Sequence, residues 1–343
     1  MISMKEIAGM CGVTEATVSN ALNGKRGVGR KTRERILSVA ESHNYVANAL
    51  VKGIQQGFTQ TIGMVVFLEY ENLFSAKLMK GVDRVLADNG YNAVIARTFS
   101  GPEKDREAKM VRNFAERRMD GLLVIAKRYD GGAFWDELRR FPRPVVLMDQ
   151  PDPSGEFDFV GSDDFSGAGA ATEHVLSLGH TELAFMGNLK VSTGASRLDG
   201  FLNALSKKGV KSRDEWIIDV DGRDPRMVAL ELLRSPRRPT AVVCYNDPFA
   251  LAVCAAAYDL GISVPRDLSV TGFANLPIAS QTRPALTTVD QHAEEIGALG
   301  ADLLLSCVAA YRNSKGAPSG GEPEKTLVPT DLIVRDTTAP VPN

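Results

Sequence analysis

The sequence predicts a small all-α unit at the amino terminus, followed by a much larger α/β part made of two doubly wound subdomains. Short amphipathic helical patterns fill residues 4–44, and from Thr61 onward β-branched apolar runs alternate with helical stretches. Such alternation is typical of parallel sheets that are covered by helices on both faces. Because there are more strand-like runs than one compact open sheet can hold, we expect two α/β subdomains.

The amino-terminal unit is predicted as three short helices. Apolar residues recur at i, i+3 and i+4 in Ile7, Met10 and Cys11, and the same spacing returns in two later stretches. Gly12 lies in a tight turn after the first helix, and Thr14 can cap the second helix. Two short helices joined by a glycine turn and supported by a third helix form the helix-turn-helix pattern, which places its second helix in the major groove of DNA.

The α/β part is predicted from strand-like runs and helical spacings in alternation. A joint is expected near residues 150–162, where Pro151, Pro153 and Gly155 interrupt the pattern. Residues 312–325 are rich in Ser, Gly and Pro and predict a loose connection before a final strand at 327–334. The other strands are expected at 62–68, 93–96, 122–126, 145–148, 183–186, 216–220, 241–245 and 268–273, with helices at 76–89, 103–118, 166–178, 197–208, 227–234 and 248–260.

Charge is distributed unevenly along the chain. Residues 1–61 carry eight basic and four acidic side chains, a net charge of +4, so the remainder carries −6 within the chain's total of −2. A basic end on an acidic body is expected of an arm that binds nucleic acid. The four cysteines lie far apart without metal-ligand spacing, and no stretch predicts an export signal or a membrane span. We therefore expect a cytoplasmic protein without a metal or other cofactor.

Short motifs follow one another in a fixed order along nearly the whole chain. They are Gly12-Val13-Thr14, Thr17-Val18-Ser19, Leu22-Asn23, Thr32-Arg33, Asn44-Tyr45, Leu178-Gly179-His180, Arg197-Leu198-Asp199-Gly200, Asn246-Asp247, Val264-Pro265, Gly272-Phe273 and Arg283-Pro284-Ala285-Leu286-Thr287-Thr288. Together they resemble the LacI/GalR family of bacterial repressors over about residues 3–337. One such motif could occur by chance, but the ordered set could not.

The resemblance implies a domain organisation. A DNA-binding headpiece would take residues 1–46, a hinge helix and linker 47–60, and an effector-binding and dimerisation domain with a periplasmic-binding-protein-like fold 61–343. The N-subdomain would take about 61–161 and 292–325, and the C-subdomain about 162–291 and 326–337. The resemblance also implies a homodimer that represses transcription from an operator, which we expect to be an inverted repeat because a two-fold protein binds a two-fold site.

The second helix of the headpiece carries the side chains that are expected to meet DNA bases. By their chemistry, Asn20 can pair with adenine, Glu15 can accept from cytosine N4, and Ala16 can contact a thymine methyl group. The alternative is that these are only solvated helix residues. Candidates for phosphate contacts, which position the protein without specifying sequence, are Thr14, Thr17, Ser19, Asn23, Arg26 and Tyr45.

Residues 48–57 predict a short hinge helix that forms only when a dimer partner and DNA are present. Asn48 can cap it and Gly57 can end it, but an isolated helix of this length is marginal in water. The resemblance implies that Ile54 is wedged between base pairs of the minor groove, with Gln55 beside it where the family often has a basic residue. A flexible linker is the alternative.

Effector-contacting side chains are expected where the strands end, in the cleft between the subdomains, and an aromatic wall with a few polar groups suits a sugar. The resemblance assigns ligand contacts to Arg197 and Asp247, and a surface ion pair is the alternative role of Arg197. It also implies an aspartate at the position of Ala274. The loss of that acid, beside Lys127, Arg128 and Arg197, favours a sugar acid or phosphorylated sugar. The candidates are Tyr70, Leu73, Phe74, Lys127, Asp149, Gln150, Arg197, Asn246, Asp247, Ala274, Asn275 and Gln291.

Two other classes of protein share parts of this pattern. A nucleotide-dependent enzyme is suggested only by residues 167–172, which lack the third glycine of GxGxxG and are better explained as small packing positions at a helix start. No other catalytic motif occurs, and we expect no enzymatic activity. A periplasmic-type sugar-binding protein without DNA function would share the α/β body, but it would need an export signal where the basic headpiece stands.

Overall fold

The computed structural model describes residues 2–45, 57–67, 73–98, 106–125, 132–314, 316 and 321–341. The chain divides into two compact units, Met1–Thr59 and Gln60–Asn343. We call the first unit the headpiece and the second unit the effector domain.

Within residues 2–45, the headpiece forms the helices α1 (Met4–Cys11), α2 (Glu15–Leu22) and α3 (Arg30–Ser42). Ser3 and Glu6 form a capping box at the start of α1, in which the Ser3 amide donates to the Glu6 carboxylate at 2.8 Å. Gly12 ends α1 in the left-handed conformation at φ 61°, which a residue with a side chain adopts only with strain. One fully buried residue from each helix, Ile7, Val18 and Ile36, fills the core. The predicted three-helix unit is confirmed.

The effector domain alternates strands and helices along the chain, as predicted. In chain order its elements are β1 (Thr61–Phe67), α4 (Leu73–Asp88), β2 (Asn92–Thr98), α5 (Arg106–Glu116), β3 (Gly121–Ile125), α6 (Gly132–Arg140), β4 (Val145–Met148), β5 (Asp158–Ser162), α7 (Asp164–Ser177), β6 (Leu183–Gly187), α8 (Ser192–Lys207), a 3₁₀ turn (Asp214–Trp216), β7 (Ile217–Asp219), α9 (Pro225–Arg234), β8 (Ala241–Cys244), α10 (Asp247–Asp259), β9 (Ser269–Phe273), α11 (Pro277–Gln281), β10 (Thr287–Asp290), α12 (Ala293–Asn313), β11 (Lys325–Val328) and β12 (Asp331–Ile333).

The strands form two six-stranded sheets, and each sheet with its helices makes one lobe. The first sheet has the order β11-β5-β4-β3-β1-β2 and the second the order β12-β10-β9-β8-β6-β7. All neighbouring strands are parallel except β12, which runs antiparallel to β10. Every residue of the central strands β3 and β8 is buried, which explains their unbroken apolar sequences. Two doubly wound lobes are thus confirmed.

The carboxyl-terminal end differs from the prediction. The single strand expected at 327–334 is two strands, because β11 pairs with β5 of the first sheet and β12 pairs with β10 of the second. The first lobe therefore extends to Val328, whereas the sequence placed everything from 326 in the second lobe. The strands β5 and β10 were also not among the predicted runs. Their sequences, DFVGS and TTVD, are short and polar, so hydrophobic pattern alone did not separate them from loops.

The chain crosses between the lobes at residues 162–164, 290–293 and 328–331, and side chains tie these three connectors together. Gln291 Nε2 donates to Ser162 Oγ at 2.8 Å, and the Asp163 amide donates to the Val328 carbonyl at 2.9 Å. The His292 ring lies 2.9 Å from the Asp331 carboxylate. Every pair of connectors is thus joined by a hydrogen bond. We call these three connectors together the hinge between the lobes, which is distinct from the predicted hinge helix at residues 48–57.

The glycine-rich start of α7 is a packing feature. A Cβ on Gly167 would lie 2.7 Å from Thr330 Oγ1 and 2.9 Å from the Phe273 ring, so only glycine allows this close approach. This agrees with the packing interpretation of residues 167–172. In the part of the chain that the structure describes, no helix is long and apolar enough to cross a membrane. Across the same residues, no group of three or more His, Cys, Asp and Glu side chains is arranged to hold a metal ion.

Candidate nucleic-acid interface and effector cleft

One face of α2 points outward from the headpiece core, and the opposite face is packed into it. Thr14 caps the helix by accepting a hydrogen bond from the Thr17 amide at 3.2 Å, while Val18 and Ala21 anchor the opposite face in the headpiece core. Glu15 and Ala16 are exposed and Asn20 is half-buried. In a helix-turn-helix these are the positions that reach base edges in the major groove.

The predicted phosphate-contact residues differ in how much of their polar surface remains available. Asn23 donates its side-chain amide to the Ser19 carbonyl at 2.8 Å and thereby closes the end of α2. Tyr45 is half-buried and packs against the headpiece core. Arg26 is exposed. Ile54 and Gln55 lie outside the described residues, so their predicted minor-groove contacts stay predictions.

Two basic side chains of α3 have a role that the sequence analysis missed. Arg33 donates from Nη2 to the Lys25 carbonyl in the loop after α2, and Arg35 donates from Nη2 to the Cys11 carbonyl at the end of α1. Helices α1 and α2 have no basic residue in their own last turns. Arginines from α3 therefore supply positive charge near the carboxyl ends of both helices and hold the helix-turn-helix together. The absence of basic residues from the last turns of α1 and α2 was the feature of the sequence that could have indicated this role.

The effector cleft has polar side chains from both lobes at the carboxyl ends of the strands. Asp149 and Gln150 follow β4 of the first lobe, and Ser192 and Thr193 open α8 of the second. Gln150 donates from Nε2 to Thr193 Oγ1 at 2.7 Å and accepts from Ser192 Oγ. The structure therefore brings Asp149 and Gln150 to the point where the two lobes touch.

Arg197 is buried in the second lobe and is held on all sides. Only 3% of its surface is exposed. Its Nε and Nη2 lie 2.9 and 2.8 Å from Asp164 Oδ1, and its Nη1 donates to the Tyr245 carbonyl at 2.6 Å. The guanidinium also lies 3.8 Å from the Phe273 ring centroid and 4.6 Å from that of Tyr245. Arg197 forms a buried ion pair rather than the surface ion pair that was its alternative role, and its predicted ligand contact stays a prediction.

Asp164 was not among the predicted site residues, although it determines the charge of the cleft. It begins α7 directly after β5, and it also accepts from Ser162 Oγ at 3.0 Å. Burial raises its pKa, and the positive charge of Arg197 opposes that rise. Two acidic residues at the end of a strand, Asp163 and Asp164, could have indicated a site residue here. This feature was missed because the strand itself, β5, was not predicted.

Asp149 carries an unusual carboxyl group. Burial, together with the negative charge of Asp164, raises the pKa of Asp149 to about 7, and Arg197 limits the rise. Its backbone is in the left-handed region at φ 72°. The carboxyl groups of Asp149 and Asp164 and the guanidinium of Arg197 therefore act on one another electrostatically, and Asp149 changes charge near neutral pH.

Other predicted effector residues are engaged inside the second lobe. Asp247 is fully buried and accepts from the Leu276 amide at 2.6 Å and from Thr288 Oγ1. Burial raises the pKa of Asp247 to about 6. Asn246 caps α10 by accepting from the Phe249 amide at 2.9 Å. These side chains hold the ends of β8, β9 and β10 in register.

The remaining candidates lie at the rim of the cleft, in the hinge, or outside the described residues. Asn275 donates to Asp290 at 2.7 Å and accepts from Arg335 at 2.7 Å, and Ala274 before it is buried at φ 108°. Gln291 is buried in the hinge. Leu73 is exposed and Phe74 buried, and both belong to the first turn of α4 rather than to a loop. Tyr70 and Lys127 lie outside the described residues.

Comparison with known proteins agrees with both halves of this architecture. Residues 3–48 match the sequence model of bacterial regulatory proteins of the lacI family, and residues 172–338 match that of the periplasmic binding protein-like domain. The chain is 32% identical over 311 residues to the HTH-type transcriptional repressor PurR of Photobacterium profundum, and the alignment covers 90% of this chain and 92% of that relative.

Solved structures resemble nearly the whole chain. The transcriptional regulator CelR in complex with cellobiose matches with a TM-score of 0.72 and 26% identity, over 98% of this chain and 100% of that one. The lac repressor dimer bound to operator and the anti-inducer ONPF matches with a TM-score of 0.84 and 22% identity, over 98% and 99% of the two chains, and shows that the fold is shared. The helix-turn-helix headpiece, the two-lobed effector domain and the whole-length repressor relative lead to one conclusion: the chain is a DNA-binding transcriptional regulator and belongs to the LacI family of bacterial regulatory proteins.

Proposed function

We propose that this regulator binds an inverted-repeat operator as a homodimer, and that a small polyhydroxylated effector in the cleft between the lobes controls its operator affinity. The observation that carries the DNA part is the outward face of α2 (Glu15, Ala16 and Asn20) on its capped and packed support. Asn20 would pair with adenine, Glu15 would accept from cytosine N4, and Ala16 would touch a thymine methyl group. The match of residues 3–48 to the lacI-family model favours this function over a transport protein.

The operator is tested by selection of bound duplexes from a random DNA pool with the full chain at moderate salt. We expect enrichment of an inverted repeat, because a two-fold dimer presents two α2 helices to successive major grooves. Competition with unselected genomic DNA while salt is raised separates specific from nonspecific binding. A pool that stays unenriched after repeated selection would reject the proposal.

A homodimer is supported by apolar side chains that the effector domain leaves exposed. Tyr258 on α10 is 85% exposed and Met227 on α9 is 54% exposed, and Val94 and Ile95 lie exposed on the edge strand β2. Large exposed apolar side chains and an unpaired strand edge favour association. Sedimentation of the wild type should show a dimer, and Tyr258→Asp together with Ile95→Lys should shift it to monomer. A wild type that sediments as a monomer at micromolar concentration contradicts this part.

The effector class follows from the chemistry of the cleft. Asp149, Gln150, Ser192 and Thr193 provide donors and acceptors suited to hydroxyl groups. The related regulator CelR was solved with cellobiose. The charge of Arg197 is already matched by Asp164, which removes one of the positive charges that favoured an acidic ligand. A neutral sugar is therefore the better-supported ligand, and a sugar acid is the alternative.

Calorimetric titration with neutral sugars and with the corresponding sugar acids tests the effector class. Binding of neutral forms supports the proposal, and preferential binding of acids at pH 7 would reject it in favour of the alternative. The control mechanism follows from linkage, since an effector changes operator affinity only as far as it binds the two lobe arrangements differently. A coupling of about 1–3 kcal/mol is typical of such systems.

A further inference from the structure

Gln150 is a buried side chain of the first lobe whose carboxamide bonds to two hydroxyl groups of the second lobe, and its side chain also bonds to the Asp149 carboxyl of its own lobe. Its Nε2 donates to Thr193 Oγ1 at 2.7 Å, and its Oε1 accepts from Ser192 Oγ. Gln150 and Thr193 are each 3% exposed. A buried carboxamide costs free energy unless both its ends are bonded, and here the opposite lobe satisfies both ends. These bonds exist only while the cleft is closed at this point.

The contact continues into the second lobe. Thr193 Oγ1 lies 3.0 Å from the Tyr245 hydroxyl, and the Tyr245 carbonyl accepts from Arg197. Arg197 then pairs with Asp164, which accepts from Ser162, and Ser162 in turn accepts from Gln291 in the second hinge connector. Two runs of hydrogen bonds, joined through the covalent frame of Tyr245, therefore lead from the Gln150 contact to the hinge.

A second bridge between the lobes lies elsewhere and is different in kind. Lys77 on α4 donates from Nζ to the Asn275 carbonyl at 2.7 Å. A lysine ammonium that is not deeply buried keeps water as an alternative partner, so opening this bridge costs little. The carboxamide of Gln150 is shielded from water, and within its own lobe the Asp149 carboxyl cannot replace both second-lobe bonds. Of these two bridges, Gln150 is therefore the one that does more to favour closure.

We infer that Gln150 is an intramolecular latch that closes the effector cleft in the absence of effector, and that an effector must displace its carboxamide from Ser192 and Thr193. The inference rests on the proposed function in one respect only, the entry of an effector between these lobes. It assigns Gln150 to the protein's own closure, where the sequence had assigned it to effector contact. An effector able to compete needs a donor and an acceptor close together, such as two neighbouring hydroxyl groups.

Hydrogen–deuterium exchange of the effector-free, DNA-free full chain tests the latch. Gln150→Ala and the isosteric Thr193→Val should each raise amide exchange about three- to tenfold in residues 149–157 and 188–197, the range expected for a lost buried hydrogen bond. In residues 149–157 the double variant should exchange no faster than the faster single variant, because on that side both changes break the same contact, whereas Thr193→Val also removes the bond to the Tyr245 hydroxyl on the other side. Asn203→Ala, which removes an exposed carboxamide from the same helix α8, should leave these segments unchanged.

The results separate this inference from the proposed function. Unchanged exchange in both single variants, or additive increases in residues 149–157 of the double variant, would overturn the latch. Thr193→Val guards against a general packing defect, since it keeps the side-chain volume and changes only the hydroxyl group. Random-pool selection tests operator binding separately. If the protein selects no operator but shows the expected exchange, the proposed function is rejected and the latch is still supported.

Discussion

Replacing Arg197 by methionine would leave the Asp164 carboxylate buried without its partner. Asp164 is 7% exposed and would keep only Ser162 as a donor. Removing one member of a buried ion pair typically costs about 3–5 kcal/mol, mostly because the other charge is left uncompensated. Loss of two aromatic contacts with Arg197 adds to this cost. We therefore expect Arg197→Met to destabilise the second lobe by about 4 kcal/mol at pH 7.

The free-energy cost of Arg197→Met should be smaller at lower pH. Burial already raises the pKa of Asp164, and loss of the Arg197 charge raises it further. A folded-state pKa above the unfolded value means that stability is fully present below the unfolded pKa and is lost as pH rises through the folded pKa. At pH 5 the variant can protonate Asp164 and recover part of the loss. Arg197→Met with Asp164→Asn should recover part of it at every pH, because no buried charge remains.

The two tryptophans allow each lobe to be followed separately. Trp135 lies in α6 of the first lobe, and Trp216 lies in the 3₁₀ turn of the second lobe. In a Trp135→Phe background, urea unfolding followed by Trp216 fluorescence should show the full loss of unfolding free energy that Arg197→Met causes in the second lobe. Arg223→Met, which breaks an exposed pair with Glu231, is the matched control and should cost less than about 1 kcal/mol. If Arg197→Met costs no more than this control, the buried-pair argument is wrong.

Three further outcomes are expected. Asp149→Asn should remove a pH dependence of the unfolding free energy. Because burial raises the pKa of Asp149 to about 7, the wild type should lose stability relative to the variant as pH rises from about 4 to 7, by at most about 4 kcal/mol. Urea unfolding profiles that stay parallel over this pH range would contradict this prediction. Arg33→Met should lower operator affinity about tenfold with an unchanged salt slope, whereas Arg26→Met, at a candidate phosphate contact, should reduce the slope by about 1 in titrations over a salt range. Ser3→Ala should weaken α1 by about 1 kcal/mol, visible as faster amide exchange in residues 4–11 of the full chain, and equal exchange would argue against the capping box.

The sequence predicted those parts of the fold that are encoded by local pattern. The strands β3, β4, β6 and β8 are runs of buried apolar residues, and the headpiece helices combine apolar spacing with Gly12 and Thr14 as end signals. The strands β5 and β10 could not be predicted in this way, because their polar and glycine residues are made strand-like by neighbouring strands rather than by their own pattern.

The candidate site was predictable in its location but not in its pairing. Strand ends indicated Asp149, Gln150 and Arg197. The partner of Arg197 is Asp164, which is 33 positions away and follows a strand that the pattern did not show. Gln150 meets Thr193 across 43 positions. The first contact is set by how α7 packs on α8 and the second by how the two lobes meet, and a single sequence read for local periodicity contains no signal for either.

The central claim is that the outward-facing side chains of α2 determine operator sequence, and single-base substitution of the selected operator tests it most directly. Binding of wild type, Glu15→Ala and Asn20→Ala to every single-base variant of one half-site should show that each alanine variant loses discrimination at one base pair, by about 1–3 kcal/mol, and keeps it at the others. The salt slope should not change, because neither side chain contacts phosphate. If both variants instead weaken binding to every sequence equally and leave the base preferences intact, α2 does not determine operator sequence and the account fails.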